Sequence, residues 1–328
     1  MIQGNTLQVV ILAAGKGTRL APLTQMRSKA MLPIVGVPMV ERVMDQFAAC
    51  GIEKFILVVN PQDREIVHYF ERMSQFSGEI QFVQQVRQLG MGHALLCAMD
   101  YIEGDFMLSS CDNLVSVKHI QGMLSAWQTE PDLSGLLSLM PVAPEQVNST
   151  GIVAWDSEWV TGIVEKPSPT EAPSNISSLP LYIFSGKILD YLIEIRPSQR
   201  GEYELQYAIQ KLIEQYGRVY GVLTNRRLTL TTRADYLNIN KHYLSSVGFI
   251  SRSFLNNWNS SMRLNPPYYI ESGTSIGDSS GIGPNVYIEC DCRIGRNVWI
   301  KNAVIQRGSI IPDKCEIKNQ IFCDINKC

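Results

Sequence analysis

Gln8-Val-Val-Ile-Leu-Ala-Ala-Gly-Lys-Gly-Thr-Arg-Leu20 decides how this chain reads. Its first part, Gln8 to Leu12, is a β-branched apolar run of the kind buried in a sheet. It passes at once into glycine, lysine and arginine. Glycines directly after a buried strand let the backbone approach a phosphate chain, whose oxygens are bound by bare N–H groups. Leu12, Ala13, Ala14, Gly15, Lys16, Gly17 and Thr18 are therefore candidate nucleotide contacts. Arg19 can fork onto phosphate oxygens, and Lys29, ahead of Leu32-Pro33, can add a point charge. Two other nucleotide motifs are excluded by spacing. Leu20 stands where the third glycine of a dinucleotide fingerprint belongs, and the four-residue spacer of a P-loop is missing.

Outward from this stretch, strand-like and helix-like segments alternate. Met39 to Cys50 has helical spacing and stops at Gly51. Phe55 to Val59, Ile80 to Val83 and Asp105 to Leu108 read as strands. Arg64 to Met73, His93 to Tyr101 and Ile120 to Gln128 read as helices between and after them. The alternation predicts an α/β fold: a Rossmann-like, mostly parallel sheet with helices on both faces. In such sheets ligands bind beyond the carboxyl ends of the strands, where the loops Gly15–Arg19 and Ser109–Asn113 both lie. Residues 151–185 are more irregular, and helices are expected again at Tyr203 to Gln215 and Tyr236 to Leu244.

The period changes after residue 265. Ile270, Ile276, Ile282, Ile288, Ile294 and Ile300 recur every six residues, and after a one-residue slip at Ile305 the series runs on through Ile311, Ile317 and Cys323. A six-residue repeat of this kind predicts a short parallel β-helix, three repeats to a coil. The domain boundaries expected are 1–245 for a catalytic domain, 246–265 for a linker rich in Ser, Asn and Pro, and 266–328 for the β-helix. Such a coil exposes an apolar flank or open end, so a homo-oligomer formed through 266–328 is expected.

Composition narrows the partners. Apolar residues make up 45% and charged residues 18% of 328, which suits a globular chain with a full core. A net charge of −2 offers no footprint for nucleic acid or an anionic membrane, so a small molecule is the expected partner. The run Val9 to Ala14 is too short to span a bilayer, and no secretory signal pattern surrounds it, so a cytoplasmic protein is expected. None of the eight cysteines forms a C-x-x-C pair, which argues for reduced thiols and against a zinc site.

Taken together, the glycine loop with Thr18-Arg19-Leu20, Lys29 and the hexapeptide tail resembles the nucleoside-diphosphate-sugar pyrophosphorylases, the sugar-1-phosphate nucleotidyltransferases. The resemblance covers nearly the whole chain and implies a left-handed hand for the β-helix. It also orders the later motifs. Gln85 and Leu89-Gly90-Met91-Gly92-His93-Ala94 look like the segment that reads the nucleotide base, where a glutamine amide can donate to and accept from a pyrimidine edge. Asp112 resembles the aspartate that binds Mg²⁺. Gly151 and Glu165-Lys166-Pro167 resemble sugar-binding segments, with Glu165 on sugar hydroxyls and Lys166 on the sugar phosphate; Asn175 and Tyr182 fall near another. Five positions depart from the pattern: Met91 replaces threonine, Cys111 and Pro180 replace glycines, and Gln206-Tyr207 replaces Thr-Asp. The second metal ligand is not matched cleanly either. One register puts Thr229 there, another Arg226 beside Asn225.

The resemblance implies an in-line displacement in which a sugar 1-phosphate attacks the α-phosphorus of a nucleoside triphosphate and pyrophosphate leaves. Catalytic roles fall to Arg19, Lys29 and Asp112. UTP or dTTP with glucose 1-phosphate or N-acetylglucosamine 1-phosphate is the expected substrate set. The alternative is a catalytically weak regulatory or assembly subunit of the same fold. None of the four histidines, His68, His93, His119 and His242, lies in the repeat, which argues against acetyl transfer by the β-helix.

Overall fold

The computed structural model describes residues 7–247 and 261–323. Most of the expected linker, 248–260, and Cys328 lie outside the described residues. The described chain forms two compact units that do not follow chain order. One contains 7–16 and 40–228; the other contains 17–39, 229–247 and 261–323.

The first unit is built on a nine-stranded sheet. Its strands are β1 (Gln8–Leu12), β2 (Lys54–Val59), β3 (Glu79–Gln84), β4 (Phe106–Ser110), β5 (Gly135–Pro141), β6 (Gly151–Asp156), β7 (Trp159–Glu165), β8 (Ile176–Phe184) and β9 (Val219–Leu223). Their order is β3-β2-β1-β4-β8-β5-β9-β7-β6. β1 pairs in parallel with both β2 and β4, and β2 with β3. The expected parallel sheet is thus its first half. The irregular stretch 151–185 supplies three antiparallel strands, because no crossover helix separates them and Ser157 turns β6 straight into β7 with φ 58°.

Val9, Val10 and Ile11 are all fully buried although neighbours on a strand point to opposite faces, so both faces of the sheet are covered. On one face Val10, Leu12, Ile56, Val58 and Leu108 share a core with α3 (Met91–Ala98) and α5 (Leu205–Tyr216). On the other, α4 (Val117–Thr129) sets His119 Nε2 2.7 Å from Ser138 Oγ on β5. Further helices include α1 (Met39–Ala48) and α2 (Arg64–Arg72), with α6 (Arg233–Val247) in the second unit. Each fully buried valine, leucine or isoleucine contributes about 1.5–3 kcal/mol, so the central strands anchor the unit.

In the second unit, short strands stack in parallel in three columns. Arg263 registers with Gly281, Gly281 with Trp299 and Trp299 with Glu316. Every isoleucine of the repeat is buried in one core, from Ile270 through Ile317. They form ladders: Ile270 with Ile288 and Ile305, Ile276 with Ile294 and Ile311, Ile282 with Ile300 and Ile317. The last member differs from the expected Cys323. Ile305 registers with Phe322, because the one-residue contraction at Ile305 recurs one coil later. Glycine is needed between coils, since a Cβ on Gly277 would lie 2.6 Å from the carbonyl carbon of Gly295.

Candidate active site

β1 fixes where the glycine loop begins. Cys111 N–H donates to Leu12 O (3.1 Å) and Ala13 N–H to Val58 O (2.8 Å), so the chain leaves the sheet only after Ala13. The Gln88 amide then holds Ala14 O at 2.7 Å. Gly15 and Lys16 are exposed, and a Cβ on Gly15 would meet nothing within 4 Å. No local strain demands a glycine there.

Gly17, Thr18, Arg19 and Lys29 belong to the second unit. Gly17 has φ 61°, and a Cβ on it would lie 3.0 Å from Lys29 Cβ, so this glycine lets the two halves of the motif close on each other. Thr24 Oγ1 donates to Gly17 O at 3.0 Å and fixes the turn. Thr18 and Arg19 are exposed, and Lys29 is half-buried.

At the end of β4, Ser110 registers with Leu12, and its buried hydroxyl has no partner among the described residues. Cys111 is accommodated without a left-handed backbone. Asp112 follows it and is buried. Asn113 next to it accepts from Arg227 Nε at 2.6 Å. Among the described residues no group of three or more His, Cys, Asp and Glu could hold a metal unaided. One aspartate suits Mg²⁺, a hard cation that commonly takes one or two carboxylates and completes its shell with phosphates and water. The residue types therefore fit a single-carboxylate magnesium site. Of the readings for a second ligand, Asn225 and Arg226 are exposed in the loop before Leu228, and Thr229 Oγ1 lies 3.4 Å from Thr231 Oγ1.

The base segment is tightly built. Gly90 caps α3 with φ 105°, and a Cβ there would lie 2.9 Å from Tyr203 O. Tyr203 N–H donates to Leu89 O (2.7 Å) and Gly92 N–H to Tyr203 O (2.9 Å), so two motifs far apart in sequence form one wall. Gln85 is buried, and its amide nitrogen lies 3.1 Å from both Gly90 O and His93 Nδ1. Both N–H groups are thus engaged within the wall, which corrects the expectation that this amide donates to a base. His93 packs edge-on to Tyr203 and has a lowered pKa, from burial first and the Arg87 charge second, so it serves as a neutral acceptor.

β6 and β7 bring Gly151 opposite Glu165. A Cβ on Gly151 would lie 3.1 Å from Glu165 Oε2, so the glycine makes room for the carboxylate. Lys166 Nζ lies 3.4 Å from Glu165 Oε1. Oε2 is buried with no hydrogen-bond partner among the described residues. Burial raises the Glu165 pKa, Lys166 opposes the rise, and Glu204 adds to it. Lys166 itself holds φ 47°, an unusual backbone for a side chain of its length, fixed by its N–H to Thr150 O at 3.1 Å. Asn175 is exposed, two residues before Ser177, which registers with Ile152.

Tyr182 is corrected. Expected on a sugar-facing stretch, it is buried in the core with Leu137, Leu139 and Phe184. Its hydroxyl accepts from Ser178 at 3.3 Å, and burial pushes its pKa up to about 12. The sequence reading missed Gln88, Arg227, Glu204 and Gln206, whose amide nitrogen would be 3.4 Å from a Cβ on Gly151. Two of them carried a signal: Glu204 within Gly201-Glu202-Tyr203-Glu204-Leu205, which resembles the family's helix start, and Gln206 as a departure from the Thr-Asp pattern.

Comparison with known proteins agrees with this arrangement. The chain is 29% identical over 325 residues to the bifunctional protein GlmU of Methanococcus maripaludis, covering 98% of this chain and 74% of that protein. It is 34% identical over 209 residues to the UTP–glucose-1-phosphate uridylyltransferase AglF of Haloferax volcanii, covering 63% of this chain and 84% of the relative. A UDP-glucose pyrophosphorylase of Acinetobacter baumannii superposes with a TM-score of 0.65 at 26% identity, over 74% of this chain and 94% of that one. Residues 264–327 match the family model described as the GMPPB C-terminal domain. Residues 8–246 match the nucleotidyl transferase model, and the chain belongs to that family as a sugar-1-phosphate nucleotidyltransferase.

Proposed function

We propose that this enzyme joins glucose 1-phosphate or N-acetylglucosamine 1-phosphate to UTP or dTTP, releasing pyrophosphate. The observation that carries the reading is the Glu165–Lys166 pair beside Gly151. A buried carboxylate oxygen without a partner is costly in the free protein and suited to accept from a sugar hydroxyl. The adjacent ammonium suits the sugar phosphate. The relative named as a UTP–glucose-1-phosphate uridylyltransferase supports UTP and glucose 1-phosphate within this set.

The attacking phosphate is already anionic, so the work is positioning and charge stabilisation. Lys166 aims the attacking phosphate, and Glu165 orients the sugar. Arg19 and the N–H groups of Gly15 to Thr18 take the leaving pyrophosphate, and Lys29 steadies the α-phosphate. Gln85, its N–H groups engaged, acts through its carbonyl oxygen, which suits the N3–H of uracil or thymine and not the bare N3 of cytosine. Gly90 shapes the same wall. Asp112 would hold Mg²⁺, which when bound would neutralise phosphate charge. In this reading the stacked strands of 266–328 are a left-handed β-helix, supported by the steps of 18 and 17 residues between register partners. It mediates homo-oligomer formation in a cytoplasmic enzyme.

One observation favours the alternative, a regulatory subunit of the same fold. Arginines occupy 226 and 227, and Arg227 is bonded to the neighbour of Asp112. Pyrophosphate release with Mg²⁺ across a grid of four nucleoside triphosphates and several sugar 1-phosphates tests both. Turnover with one pair, abolished by Lys29→Ala, is the expected result. No turnover with any pair, from well-folded protein, would overturn the enzyme reading and favour the alternative.

A further inference from the structure

We propose that the buried ion pair between Arg27 and Glu289 is a positioning device. It fastens the segment carrying Arg19 and Lys29 onto the C-terminal stacked strands. The inference rests on the roles given to those two residues under the proposed function.

Arg27 Nη2 lies 2.8 Å from Glu289 Oε2, with the two side chains only 7% and 2% exposed. Glu289 directly follows Ile288, a member of the isoleucine ladder, so its backbone is fixed by the coil. Arg307 N–H also reaches Oε2, at 3.3 Å. The same segment is held twice more. Tyr236 hydroxyl, fully buried on α6, donates to Pro33 O at 2.9 Å and lies 3.4 Å from Glu289 Oε1. Val35 N–H donates to Asn240 Oδ1 at 2.9 Å, and Asn240 returns its amide to Tyr236 O at 2.9 Å. Gly36 lies against the Tyr269 ring, where a Cβ would be 3.0 Å away.

Two features separate this from ordinary packing. An apolar pair of equal volume generally stabilises a core as well as or better than a buried ion pair, so what the pair adds is a defined geometry. Arg27 is also two residues from Lys29, a chain distance of at most about 7 Å, so a displacement at the pair passes directly to that ammonium. The C-terminal strands thereby set the position of the phosphate-binding cations, in addition to any part in assembly.

The test uses the full-length chain with Glu289→Gln, which removes the carboxylate charge facing Arg27, and with the double variant Arg27→Gln/Glu289→Gln, a neutral pair able to hydrogen-bond. In the single variant kcat/KM for the triphosphate should fall about 10- to 100-fold, the scale of a misplaced reacting group. KM for the sugar 1-phosphate should stay within about twofold, and amide exchange within 17–39 should speed up about tenfold or more. The double variant should recover most of both. Unchanged exchange and kcat/KM would overturn the proposal, as would a parallel rise in both KM values with protection lost throughout. Should Glu289→Gln not fold, the isosteric Tyr236→Phe carries the same test, with a change of about two- to fivefold. A wild-type chain that releases no pyrophosphate would sink the functional reading, yet the exchange measurement would still decide this one.

Discussion

Glu165→Gln should give a more stable protein and a poorer enzyme. In the free protein the Glu165 side chain is 14% exposed and Oε2 has no partner among the described residues. A buried unsatisfied acceptor costs about 1–3 kcal/mol. Lys166 returns little of this: it sits 3.4 Å away and is 34% exposed, so the pair is worth less than about 1 kcal/mol. Glutamine keeps the shape and removes the charge, so stability should rise by about 1 kcal/mol, read from urea unfolding at neutral pH. If the carboxylate accepts from a sugar hydroxyl, the variant loses a charge-assisted bond worth about 1.5–3 kcal/mol. KM for the sugar 1-phosphate should then rise roughly 10- to 100-fold, with KM for the triphosphate little changed. The pH dependence has a fixed sign. The folded state holds this proton more tightly than the unfolded chain does, so the stability it contributes is complete below the ordinary value of 4.5 and is lost as pH rises through the raised pKa. The advantage of the variant should therefore grow as pH rises through that window and vanish below it. A variant that loses stability while its KM is unchanged would refute the reasoning and make Glu165 a structural residue.

Two other substitutions test the walls of the site. Gly90→Ala forces a side chain onto φ 105° and toward Tyr203 O, which should cost about 2–4 kcal/mol in unfolding free energy and raise KM for the triphosphate. Equal stability would show that the Tyr203 wall yields easily. Tyr182→Phe removes only the hydroxyl bonded to Ser178, so it should cost about 0.5–1.5 kcal/mol and leave KM for the sugar unchanged. A rise in that KM would return Tyr182 to the substrate side.

Elements whose signal is local were legible from one end of the chain to the other. β1 was read with the same bounds it has in the fold, because a β-branched run stopped by glycine has few alternatives. The six-residue spacing likewise marked every isoleucine of the C-terminal core, since a repeat that stacks on itself buries the same position each time. Tyr182 and Gln85 were misread because a side chain's type says what it can bond to, not what its neighbours leave free. Gly90 O and His93 were already beside Gln85, and Ser178 beside Tyr182.

By itself, then, the sequence determined the strand-then-glycine loop, the alternation of strands and helices, and the stacked tail. These rest on periodicity and backbone freedom, which each segment carries alone. Only the tertiary structure decided that Gly151 yields its space to Glu165, that Tyr203 closes against Gly90, and that Arg27 meets Glu289. Each of these joins residues far apart in the chain. Such a contact exists only once each unit has packed within itself and brought the partners within bonding distance.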